Sequence, residues 1–229
     1  MTHDNVLLST TYFGPVQWYQ KLHRYRHVWM ERCESLIKQT YRNRCVIAAA
    51  HGPQTLSIPI VHGATLTRDI RISDHGEWRH LHWNAIRSAY GESPFFEFYA
   101  DDLEPFFTRR WDFLIDFNDA ITAKMCELLD ITPHILPTER YSEKSEDTGK
   151  TEDTQDPERH ETPDSPMRTD YPAFSDDFRE AIRPKHPLPD PDFTPKRYYQ
   201  VFEQRHGFLP NLSILDLLMN EGNESVLYL

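Results

Sequence analysis

The chain has 229 residues, with 36 acidic against 25 basic side chains and a formal net charge of −11. That length suits one generous domain, and the acidic balance argues against a general nucleic-acid binder, which needs a basic face. Apolar content is 38% while aromatic content is 13%, so a real core is diluted by a very polar stretch.

Val6 to Tyr12 reads as a buried strand closed by the turn residues Gly14-Pro15. Pro15 suits the first turn of a following helix, and Tyr12 and Gln17 fall at the strand–helix junction. An ordinary packed junction and a ligand-facing one are both compatible with that pattern. Val28 to Glu31 reads as a second strand. Lys38-Gln39-Thr40-Tyr41-Arg42-Asn43-Arg44 is the densest donor set in the chain. Arg42, Asn43 and Arg44 present forks and amides that suit an anionic ligand, or else an exposed basic face paired with nearby acids.

Cys45–Ala48 and Thr55–Ile60 flank His51-Gly52-Pro53-Gln54 as a hairpin, and Arg68–Ile72 alternates like a further strand. Trp78 to Tyr90 has helical spacing, with His82 on its apolar face. His80 and His82 are two apart, so they point to different helical faces, and no metal site is expected. Phe95–Tyr99 and Leu103–Trp111 are aromatic packing segments, and Phe113 to Leu128 is a longer amphipathic helix. Ile131–Leu136 suits a short strand or an extended connection. The cysteines, Cys33, Cys45 and Cys126, form no CxxC pair, which fits a reducing compartment.

Residues 142–170 contain almost no apolar side chain. A segment of that composition cannot offset its ordering entropy, and a disordered acidic insert is expected there. Residues 1–141 and 171–229 would then form one α/β domain, a mixed sheet with flanking helices. After the insert, Ser175–Ile182 suits a short capped helix. Five prolines between Pro184 and Pro195 enforce an extended path that carries His186. Tyr198–Phe202 reads as a strand containing Gln200. Ser213–Asn220 is a core helix with Ser213 at its N-cap, Asp216 in its first turn, Asn220 at its end and Gly222 closing it. Ser225–Leu229 suits a last short strand.

The order of Tyr12-Phe13-Gly14-Pro15 with Gln17, Lys38–Arg44, His82-Trp83, His186-Pro187, Tyr199–Phe202 and Leu212–Gly222 resembles the WbqC-like family of bacterial proteins. Ser9-Thr10-Thr11 stands where that family more commonly has a Gln-Pro pair. The resemblance implies a role in O-antigen-type surface polysaccharide biosynthesis, with a nucleotide sugar as small-molecule substrate.

Two functions follow as expectations. As a group transferase, the protein would use His186 or His82 as acid/base. Arg42 and Arg44 would hold a diphosphate, with Gln200, Asn43 and Asn220 orienting hydroxyls and Tyr12 and Gln17 lining the site. Cys45 is an alternative nucleophile. As a non-catalytic binding or scaffold protein of the same pathway, it would use the same polar groups to hold a ligand or buttress the core. The lack of a Gly-rich phosphate loop, a nucleophile elbow or a metal-ligand cluster counts against the enzyme reading, and no cofactor is expected. The start of the chain lacks the pattern of a signal peptide, and no run approaches the roughly 20 apolar residues of a membrane span. A cytoplasmic protein is expected.

Overall fold

Val6, Leu7 and Leu8 are all buried although they point alternately to opposite faces, which a strand central to a parallel sheet requires. They lie in β1 (His3–Ser9) of a computed structural model that describes residues 3–142, 174 and 176–229. Pro15, with φ fixed at −70°, opens α1 (Val16–Arg24), which leads directly into β2 (Tyr25–Glu31). β3 (Arg44–Ala49) and β4 (Gly52–Ser57) form the antiparallel hairpin. Its turn falls at Ala50-His51, with Gly52 taking up φ +108°.

A helical run follows: α2 (Trp78–Tyr90), α3 (Phe96–Leu103), α4 (Pro105–Thr108) and α5 (Leu114–Leu128). β5 (Ile135–Pro137) and β6 (Asp176–Asp177) are short. α6 (Glu203–His206) and α7 (Ile214–Glu221) complete the regular elements. No helix among the described residues is long and apolar enough to cross a membrane.

β1, β2, β5 and β6 form one parallel sheet in the order β5-β2-β1-β6, and the hairpin stands apart as a second, two-stranded sheet. The mixed α/β class read from the sequence is the observed one. The chain leaves β1 through α1 to reach β2 on one side, whereas β6 lies on the other, so the strand order reverses at β1. In open parallel sheets such a reversal opens a crevice at the C-terminal ends of the strands, where ligands bind.

Residues far apart in sequence clasp the β1–α1 turn. Val16 N–H donates to Leu212 O at 3.0 Å, and Ile214 N–H donates to Gly14 O at 2.9 Å. Ser213 Oγ donates to Phe13 O at 2.8 Å and accepts from Leu215 N–H at 3.3 Å, capping α7 while holding the turn. The proline-rich segment closes on α1 from outside. Lys21 Nζ lies 2.7 Å from Asp190 Oδ2, both side chains buried, and Gln17 Nε2 donates to the same oxygen at 2.8 Å.

Four local expectations are corrected. Arg68–Ile72 alternates as foreseen, with Ile70 and Ile72 buried. It nevertheless forms a 3-10 turn and isolated bridges, Ile60 to Ile72 and Arg71 to Phe113. Ser175–Ile182 is not a helix: Asp176 and Asp177 pair with Val6 and Leu7, and Asp177 accepts from both the backbone N–H and the guanidinium of Arg179, closing a turn that does not go on into a helix. Tyr198–Phe202 builds no ladder, because the Gln200 side chain satisfies both backbone groups of Leu209 and holds a loop. Gly222–Tyr228 is a 3-10 turn rather than a strand, pinned by Ser225 Oγ donating to Leu217 O. The expected acidic insert, apart from Ser142, lies outside the described residues up to its end at 170.

Candidate functional site at the C-terminal edge of the parallel sheet

The two central strands end in polar residues at one level, since Ser9 is in register with Glu31. Beside them, Thr138 N–H donates to Met30 O on the β5 side, and Phe178 N–H donates to Leu7 O on the β6 side. Parallel pairing therefore gathers at one edge four strand ends that no sequence window shows together.

Glu31 is the hub of this edge and is fully buried. Its Oε1 accepts from Cys33 N–H and Thr138 Oγ1, both at 2.8 Å. Its Oε2 accepts from Ser142 N–H and Arg179 Nη1, both at 3.1 Å. Arg179 also donates to both oxygens of Asp177, at 3.0 and 2.8 Å. Burial opposes the charge on Arg179, but Asp177 and Glu31 more than offset that and raise its pKa.

A second buried pair stands beside the first. Arg42 donates from Nε to Glu34 Oε1 at 2.7 Å and from Nη2 to Glu34 Oε2 at 2.5 Å, a two-pronged geometry matched to a carboxylate. Its Nη2 also reaches Ser9 Oγ at 2.8 Å.

Two hollows open at this edge and share Arg179. One, of about 210 Å³, is bounded by Cys33, Glu34, Ser35, Ile37, Tyr141 and Arg179. The other is a narrow cleft between Ser9-Thr10-Thr11, Thr40–Arg42 and Phe178-Arg179. A larger hollow of about 430 Å³ lies at the opposite strand ends, beside His23, Arg26 and His134. Arg26 and His23 are exposed there, whereas Glu31, Glu34, Arg42 and Arg179 at the C-terminal edge are buried. Cys33 Sγ accepts from Arg68 Nη1 at 3.5 Å, and burial pushes its thiol up, with Arg68 working against that shift.

The structure distributes the residues singled out in the sequence among separate hydrogen-bonded groups. Tyr12 OH pairs with His82 Nδ1 at 2.9 Å inside the core. Burial lowers the His82 pKa to about 4, with only the Ser57 backbone opposing it, so its imidazole is neutral at pH 7. Gln17 joins Asn211 and Asp190. Arg42 belongs to the edge, but as the partner of Glu34. Asn43 Nδ2 donates to Ile58 O at 3.0 Å and so ties down the hairpin's exit, while Arg44 opens β3 and is half-buried.

Gln200 Nε2 and Tyr198 OH each donate to Asp216 Oδ2 at 2.7 Å, and Asn220 Nδ2 donates to Asp216 O at 2.7 Å. Burial raises Asp216 to about 6 although Tyr198, Gln200 and Tyr90 hydrogen-bond it. His186 is exposed on the proline-rich segment at φ +52°. Cys45 is fully buried and its thiol is pushed up by burial, which removes the thiolate a nucleophile needs. Neither hollow at the edge is lined by His82, His186, Gln200 or Asn220. Among the described residues, no group of three or more His, Cys, Asp or Glu side chains is placed to hold a metal ion.

Sequence reasoning passed over Glu31, Glu34, Tyr141, Asp177 and Arg179. One signal was available for the first two: carboxylates directly after an apolar strand feeding a parallel sheet stand where such sheets bind ligands.

A parallel sheet of four strands with a separate antiparallel pair and flanking helices defines a mixed α/β protein. The sequence profile described as the WbqC-like protein family matches residues 10–228, nearly the whole chain, and the protein belongs to that family. Neither the curated proteins nor the solved structures contain a significant match to it.

Proposed function

We propose that this protein binds a nucleotide-linked sugar at the C-terminal edge of its parallel sheet and transfers a group to or from it, in the synthesis of a bacterial surface polysaccharide. The observation that carries the reading is the convergence of Glu31, Glu34, Arg42 and Arg179 on the crevice where the strand order reverses. A buried ionic set costs desolvation energy that hydrophobic residues would not, and at a ligand crevice it supplies fixed donors and acceptors. The association of WbqC-like proteins with O-antigen gene clusters supplies the substrate class. In this reading Arg42 acts through Glu34, which it holds in place. His82 is held by Tyr12 inside the core and lines neither hollow, so the acid/base role falls to the exposed His186. One domain built from residues 1–141 and 171–229, working in the cytoplasm, belongs to the same proposal.

The non-catalytic reading draws support from a specific observation: Arg42, Gln200 and Asp216 are each engaged within the fold. A screen of amino-sugar nucleotides for binding and turnover decides between the two. It should include His186→Ala and Ser35→Trp, the latter filling the hollow from an exposed position without touching a buried pair. Turnover lost in His186→Ala with binding retained supports the transferase. Binding abolished by Ser35→Trp, with no turnover in any protein, supports a binding module. Absence of binding to every sugar nucleotide removes both.

A further inference from the structure

The hollow beside Tyr141 has walls of unusual composition. Large apolar side chains in this protein are mostly buried, yet Tyr141 and Ile37 are 54% and 40% exposed, and both border the same hollow. Single exposed apolar residues need no explanation; two on the rim of one cavity do. The Arg179 guanidinium lies 5.1 Å from the Tyr141 ring centroid and covers one face of the ring. Arg179 is itself fixed by Glu31 and Asp177, so the ring has a rigid cation behind it.

The ionic groups around the hollow are already neutralised. Arg179 pairs with Asp177 and Glu31, Glu34 with Arg42, and Glu180 with Arg183. A pyrophosphate would find no uncompensated cation among these pairs. A neutral polyol would find carboxylate lone pairs, guanidinium N–H groups and the Ser35 hydroxyl, each able to take one more hydrogen bond. The volume, about 210 Å³, falls below the roughly 300 Å³ at which pockets for drug-sized ligands begin. It suits one ring rather than a whole sugar nucleotide.

From this we infer that the hollow is a monosaccharide subsite. Tyr141 is the platform on which the apolar face of a pyranose rests, and Glu34, Ser35 and Arg179 meet its hydroxyls. The inference rests on the sugar-nucleotide reading above and deepens it: the sugar, and not the diphosphate, occupies the space between Glu34 and Arg179. Tyr141 is then a specificity-determining residue.

The test compares wild type, Tyr141→Phe and Tyr141→Ala for binding of UDP-N-acetylglucosamine, UDP and free N-acetylglucosamine. Calorimetry serves the nucleotides, and saturation-transfer NMR at millimolar concentration serves the free sugar. Because Tyr141 is exposed, both variants should keep the wild-type melting temperature, and this is measured alongside. The expected result is at least tenfold weaker UDP-N-acetylglucosamine binding in Tyr141→Ala, under threefold change in Tyr141→Phe, and unchanged affinity for UDP in both. Equal affinity of wild type and Tyr141→Ala for UDP-N-acetylglucosamine overturns the subsite and leaves the proposed function standing. So does an equal loss for UDP. Binding of the free sugar alone, lost in Tyr141→Ala, supports the subsite and overturns the sugar-nucleotide reading. Binding of none of the three overturns both.

Discussion

Asp216 and His82 should bend the pH dependence of stability in opposite directions. Asp216 is buried and its pKa rises from 3.8 to about 6 on folding. Below pH 3.8 the carboxyl is protonated in both states and costs nothing. Above about 6 it is ionised in both, and the folded state bears the full penalty of the buried charge. Stability is therefore lost as pH rises through this window, with a penalty of about 1 kcal/mol at pH 4.5 and about 3 kcal/mol at pH 7.5. His82 runs the other way. Its pKa falls from 6.5 to about 4 on folding, so stability is present above 6.5 and lost as pH falls, by about 2–3 kcal/mol between pH 7.5 and 4.5. In the wild type the two trends nearly cancel.

Asp216→Asn removes one of them. Its amide oxygen can still accept from Tyr198 and Gln200, so the fold should persist. Urea denaturation at pH 4.5, 5.5, 6.5 and 7.5 should show the variant gaining about 2 kcal/mol on wild type from the lowest to the highest pH. His82→Gln should show the mirror image, losing ground on wild type as pH rises. A difference between Asp216→Asn and wild type that stays constant within about 0.5 kcal/mol across the series would refute the argument, because the carboxyl would then titrate alike in both states.

Three further outcomes follow from buried partners. Arg42→Ala leaves Glu34 buried without its cation and should cost about 3–5 kcal/mol; the Arg42→Ala/Glu34→Ala double variant should recover much of that loss in the same urea titration. Lys21→Met strands Asp190 between α1 and the proline-rich segment. It should destabilise by about 3 kcal/mol or more and speed amide hydrogen exchange in α1. Gly222→Ala puts a methyl group 2.6 Å from a Phe95 ring carbon at a φ of +57°. A thermal melt should register a loss of about 1–3 kcal/mol.

Local pattern carried what local physics decides. The periodic placement of Trp78, His82, Ala85 and Ala89 sets α2 at Trp78–Tyr90, and Ser213 caps α7 because a hydroxyl there meets an N–H two residues on. Asp176-Asp177 went the other way. Two aspartates after a serine are good helix starters, and only the open edge of β1, some 170 residues earlier, makes them a strand. The polar residues show the same divide. Sequence identifies Arg42, Gln17 and Gln200 as capable of binding, but which acceptor takes those donors is a matter of tertiary placement. Glu34 took Arg42, Asp190 took Gln17 and Asp216 took Gln200. The edge site was hidden because Glu31, Thr138 and Arg179 come from three strand ends that meet only in the assembled sheet.

The clasp between the β1–α1 turn and residues 211–214 has a consequence for how the protein is made. Phe13, Gly14 and Val16 receive partners from residues 212–214, so this strand–helix unit leaves the ribosome with these backbone groups still hydrated. It can reach its final form only when α7 has been synthesised. Closing so long a loop before gaining its contacts slows folding. During translation this unit is therefore exposed to proteases and chaperones until residues 212–214 have followed it.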